Sequence, residues 1–121
     1  MKSKKIYLAI PYTGHEEISF KLANQVAGAL INRGDIPMSP ISHSHPILEE
    51  CEVRGDWEFW KEMDCSFIDW ADEVLVISFD EELILKSVGV QAEIKHAKET
   101  GKPVKYMKAI RDVDGNYELE F

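Results

Sequence analysis

Apolar and polar positions follow two different periods along this chain. Lys5 to Ile10 and Glu73 to Ser78 hold short apolar runs, the length of buried strands. Glu16 to Arg33 instead spaces Ile18, Leu22, Val26, Ala29 and Leu30 along one stripe of a helix. Glu16 and Glu17 suit its first turn, and Gly34 stops it. A short second strand is expected over Asp35 to Ser39. A second helix is expected over Asp56 to Ala71, with Trp60, Met63, Phe67 and Trp70 on one face. A third helix over Val90 to Thr100 ends at Gly101, and Pro103 to Met107 reads as a fourth strand.

The segments between them are read from their breakers. Pro11-Tyr12-Thr13-Gly14-His15 separates the first strand from the first helix. Pro40 to Gly55, with its Ser42-His43-Ser44-His45-Pro46 run, reads as one long irregular loop, and loops of that length tend to be functional. Asp80 to Lys86 reads as an acidic, mobile loop. Asp72 suits a turn before the third strand. Asp114-Gly115-Asn116 could turn a terminal hairpin. Strand–helix alternation implies an α/β fold, a doubly wound parallel sheet of four to five strands with helices on both faces. The crossovers are expected to be right-handed.

Composition narrows the partners. The 121 residues suffice for one core, so a single domain over 1–121 is expected. Asp and Glu outnumber Lys and Arg by 22 to 14, a net charge of −8 with no basic stripe. That argues against polymeric nucleic acid, whose binders cluster Lys and Arg. A small anionic ligand remains compatible, because helix-start N–H groups hold anions without net positive charge. No apolar run is long enough to span a membrane, and a signal peptide is not expected. Cys51 and Cys65 form no C-x-x-C pair, so a reducing, cytoplasmic setting is expected.

Three loops should leave the carboxyl edge of the sheet, where open α/β sheets bind ligands. They bring Tyr12, Thr13, Gly14 and His15, then His43 and His45, then Ser87 and Gly89, which makes these the candidate binding residues. Glu93 is expected in the first turn of the third helix, where it either complements the helix dipole or faces a ligand. Asp64 lies inside a helix beside an apolar face; it is either a solvated edge residue or part of a site. Tyr7, mid-strand, is either core or a placed hydroxyl. His43-x-His45 invites a metal, but no H-E-x-x-H or Cys pair accompanies it, and no metal is expected. No dinucleotide, P-loop or G-x-S-x-G signature is present.

Four segments carry a resemblance. They are Ile6-Tyr7-Leu8-Ala9-Ile10-Pro11-Tyr12, Ser39-Pro40-Ile41-Ser42-His43-Ser44-His45-Pro46-Ile47, Trp57-Glu58-Phe59-Trp60 and Ser87-Val88-Gly89-Val90-Gln91-Ala92-Glu93. Over Lys4 to Met107 the chain resembles the nucleoside 2-deoxyribosyltransferase superfamily, and within it the branch known as DUF1937. Tyr7, Asp64 with Asp72, and the G-x-x-x-E of Gly89 to Glu93 link it to characterised enzymes. The resemblance implies a flavodoxin-like sheet and cleavage or transfer of an N-glycosidic bond. Glu93 would be the nucleophile at the sugar C1′, Asp64 the acid/base or sugar anchor, and Tyr7 the residue that orients Glu93. Ser87 resembles a phosphate-contacting Ser, which favours a 5′-monophosphate over a nucleoside. Glu93-Ile94-Lys95 stands where characterised members carry Glu-Leu-Gly. The resemblance implies no cofactor, and a homo-oligomer with Tyr117 to Phe121 as a candidate contact. The alternative is a non-catalytic nucleotide-binding or sensor module of the same fold.

Overall fold

The computed structural model describes residues 3–53, 57–111 and 117–119. Its elements are β1 (Lys5–Ala9), α1 (Glu16–Arg33), β2 (Ile36–Met38), α2 (Pro40–Glu50), α3 (Trp57–Trp70), β3 (Glu73–Ser78), α4 (Glu81–Lys86), α5 (Val88–Glu99), β4 (Val104–Arg111) and β5 (Tyr117–Leu119). The sheet order is β2-β1-β3-β4-β5. The first four strands pair in parallel and β5 runs antiparallel to β4. This is the flavodoxin-like order, with its switch point between β1 and β3. Asp114-Gly115-Asn116 lies outside the described residues.

The central strands divide their side chains between two cores, because successive residues of a strand face opposite ways. Ile6, Leu8, Ile10, Leu75 and Ile77 pack against Leu22, Ala23, Val26 and Leu30 of α1. Tyr7, Ala9, Val74 and Val76 face the other way, against Ile68 and Ala71 at α3 and Val90, Ile94 and Ala97 of α5. All six residues of β3 are buried, as a central strand covered on both faces requires. Asp72 fills the expected turn role: its carboxylate accepts the Lys5 N–H at 2.9 Å and ties the starts of β1 and β3 together. Lys102 closes α3 by donating to the Asp69 and Ala71 carbonyls at 3.0 and 2.7 Å. Among the described residues, no helix is long and apolar enough to cross a membrane.

Several expectations need correction. Pro40 to Glu50 is helix, not irregular loop. Ser39 caps it by accepting the Ser42 N–H at 3.2 Å, and Pro40 takes the first helical position, where its missing N–H costs nothing. Pro46 sits inside this helix at the loss of one backbone bond, a cost the packing of Ser44 and His45 overrides. Glu81 to Lys86 is likewise a short helix, capped by the Asp80 carboxylate on the Glu82 N–H at 2.9 Å. The second strand is only Ile36–Met38, and the fourth runs on to Arg111.

Two helix faces are rotated from expectation. On α1 Ile18 is exposed and Ser19 points inward, donating its hydroxyl to the Pro11 carbonyl. On α3 Ile68 is buried, while Trp70 lies outside beneath the Lys5 ammonium, 5.4 Å from its ring centroid.

Candidate active site

One cavity of about 700 Å³ opens at the carboxyl edge of the sheet. That is the size of a small-molecule site. β1 and the turn after it supply Ile10, Tyr12 and Thr13; α2 supplies Ser44, His45 and Leu48; α3 supplies Trp60 and Asp64; and the start of α5 supplies Gly89 and Glu93. The site therefore lies beside the switch point, where loops on either side of β1 and β3 diverge.

Glu93 lines this cavity. α5 begins at Val88, two residues earlier than the expected start at Val90, so Glu93 is in its second turn and no acidic residue occupies the first. The helix-dipole role falls away, since that effect fades beyond the first turn. Glu93 is instead buried at 7% exposure, and the Tyr7 hydroxyl donates a hydrogen bond to its Oε2. Tyr7 is fully buried in β1. Burial, then the nearby Glu93 and Asp64 carboxylates, raise the Tyr7 pKa well above the ordinary phenol value, so the hydroxyl keeps its proton and remains a donor.

The same burial raises the Glu93 pKa to about 8; the Tyr7 hydrogen bond works against it and Asp64 adds to it. Burial also raises Asp64 to about 6. Two carboxyl groups in one cavity thus hold about one proton between them around neutral pH. Burial and then the neighbouring carboxylates raise the Cys65 thiol pKa, which disfavours the thiolate.

The structure brings Glu93, Asp64, Tyr12, Thr13, His15, His45, Ser87 and Gly89 to the cavity wall, with Tyr7 behind Glu93. It does not bring Gly14 or His43 there. Gly14 is a turn residue at φ +85°, a conformation that favours glycine. His43 is exposed, near Ser44 Oγ at 3.2 Å and edge-on to Phe67. Residues two apart on a helix point to nearly opposite sides, so His43 and His45 do not form a shared metal site. Trp60 and Ser44 are wall residues that sequence reasoning left out of the site. Trp60 was legible in principle: it lies one turn before Asp64 on the same face of α3.

Ser87 has a structural role of its own. Its hydroxyl caps α5 by accepting the Val90 N–H at 3.2 Å. Ser87→Ala should lower stability by about 1 kcal/mol, read as a fall in the urea midpoint with unchanged slope. An unchanged midpoint would show that the cap contributes nothing.

A doubly wound α/β fold with a tyrosine-held carboxylate beside a cavity at its switch point defines a structural class. Its relatives make that class specific. Residues 4–109 match the family described as Domain of unknown function (DUF1937), and the chain belongs to that family, within the nucleoside 2-deoxyribosyltransferase-like superfamily. Among solved structures it is similar to the 2-deoxyribosyltransferase of the psychrotolerant bacterium Bacillus psychrosaccharolyticus. The two share 29% identity over 86% of this chain and 72% of that one, with a TM-score of 0.63. That protein is described as a biocatalyst for the synthesis of antiviral and antitumoral nucleosides. No protein of curated function matches the chain in sequence.

Proposed function

We propose that this protein cleaves or transfers the N-glycosidic bond of a deoxynucleoside or its 5′-monophosphate, with Glu93 as nucleophile. The observation that carries this reading is a buried Glu93 carboxyl, held by Tyr7 and facing a small-molecule cavity beside Asp64. Tyr7 occupies Oε2, which leaves Oε1 for the sugar. Oε1 attacks C1′, the C1′–N bond breaks, and Asp64 gives its proton to the departing base. The product is a glycosyl ester on Glu93 and an ionised Asp64. Water or a second base then attacks C1′, loses its proton to Asp64, and frees the Glu93 carboxylate.

The reactive form has the charge on Glu93 and the proton on Asp64. The Tyr7 hydroxyl favours that form, because a hydrogen bond to a carboxylate is stronger than one to its acid. Turnover is accordingly expected to follow a bell-shaped pH curve with limbs near 6 and 8. Tyr7→Phe should lower kcat by about 10- to 100-fold and move the limb governed by Glu93 upward. A pH–rate profile of the variant with unmoved limbs would remove Tyr7 from this role.

Ser87 and Lys86 both line the cavity, and the Ser87 hydrogen can still donate while its oxygen caps α5. Together they favour an anionic substituent, hence the 5′-monophosphate. The test is liquid chromatography of free base released from deoxynucleosides and their 5′-monophosphates, with and without an acceptor base. Release confined to one set fixes the substrate class, and a new nucleoside appearing with the acceptor marks transfer. Calorimetric nucleotide binding with no base release would instead favour the non-catalytic module.

A further inference from the structure

A second cluster of chemistry lies at the rim of the cavity, on the side of α1 and α2. His45 is 5% exposed. Its ring stacks on Phe20, with centroids 4.2 Å apart, and its Nδ1 lies 2.6 Å from the Tyr12 hydroxyl. The other nitrogen, Nε2, is buried and has no hydrogen-bond partner among the described residues. It nevertheless lies 2.9 Å from Glu49 Oε1 and 3.3 Å from Glu17 Oε1, so the two carboxylates approach it from directions unsuited to an N–H bond. The three donor atoms all fall within 4.8 Å of one another.

We propose that Glu17, His45 and Glu49 bind one borderline divalent cation of the Zn²⁺ type. Zn²⁺ takes imidazole nitrogen and carboxylate oxygen at about 2.0–2.2 Å, which sets neighbouring donors about 3.0–3.5 Å apart. The two Nε2–oxygen separations lie in or near that range. His45 and Glu49 stand one turn apart on α2, and Glu17 comes from the first turn of α1. Tyr12 supplies the outer partner that metal-bound histidines use: Nδ1–H donates to its hydroxyl oxygen, and the Nε2 lone pair turns to the ion. Glu17 and Glu49 are exposed, so the remaining coordination positions open to water. Such an ion would clip α2 to α1 and fix Tyr12, and so shape the cavity mouth without entering the glycosidic chemistry.

The test is calorimetric titration of chelator-stripped protein with ZnCl₂, without nucleotide, alongside thermal unfolding with and without the metal. We expect one saturable equivalent and a rise in Tm, since a ligand of the native state stabilises it. Glu17→Gln with Glu49→Gln changes only exposed side chains and should preserve the fold, checked by circular dichroism. It should weaken Zn²⁺ by more than the about 10- to 100-fold that outer-partner substitutions cost. His43→Gln should bind as the wild type does. No one-equivalent binding in the wild type, or unaltered binding in the double variant, would overturn the site. Because substrate is absent from the titration, neither result bears on base release.

Discussion

Glu93→Gln is expected to abolish base release while leaving the fold intact. The amide is nearly isosteric with the carboxyl group, so the cavity stays filled. It cannot carry the negative charge needed to attack C1′, and the covalent route closes. Loss of a nucleophile of this kind costs at least about ten-thousandfold in kcat. The Tyr7 hydroxyl can still donate to the amide oxygen, which protects the geometry. The check is chromatographic base release from wild type and variant, with circular dichroism to verify folding. Full activity in the variant would eliminate the nucleophilic role.

The same side chain should govern how stability depends on pH. Its carboxyl has a folded pKa of about 8 against an ordinary value of 4.5. Between those values the native state holds a proton that the unfolded chain has released. Stability therefore falls as pH rises from about 4.5 to about 8, and this contribution is flat outside that window. Asp64, raised to about 6, adds a smaller slope of the same sign at the acid end. The Glu93 loss across the window is about 3–5 kcal/mol. Gln carries no proton to lose, so Glu93→Gln should be more stable than wild type at pH 9 and lose most of this slope. Urea midpoints at pH 5, 7 and 9 would measure it. Parallel pH curves for the two proteins would contradict a buried, proton-holding Glu93.

The fold places a carboxyl group where it is costly to ionise, and a single buried phenol offsets part of that cost. A substrate whose sugar becomes positively charged at C1′ in the transition state would stabilise the ionised form when it is needed. Burial by itself favours the neutral form, and positive charge developing at C1′ would favour the ionised one.

How much of this the chain announced varies by element. β1, α1, β3 and β4 were legible because their apolar residues repeat at strand or helix spacing and are bounded by Pro and Gly. Their alternation sufficed for the doubly wound sheet. α2 was not legible. Its inward positions, Ile41, Ser44, His45 and Leu48, do have helical spacing, but two of the four are polar and two prolines flank or interrupt them. A periodicity test counts apolar residues, so a helix that turns Ser and His toward a ligand cavity reads as a loop. α4 was missed because its six residues carry no apolar stripe, and only the Asp80 cap gave a local signal.

By itself, the sequence determined the layered α/β class, the excess of acidic over basic residues and Glu93, Asp64 and Tyr7 as residues to watch. These rest on composition, periodicity and resemblance, all of which are written along the chain. The tertiary structure alone decided that Tyr7 and Glu93, 86 residues apart, share a hydrogen bond. It also decided that Glu93 lies beyond the reach of the helix dipole, that His43 and His45 part company, and that Glu17 and Glu49 close on His45. Each depends on where one element lands against another, and burial, which sets the ionisation of these groups, exists only once the elements are packed.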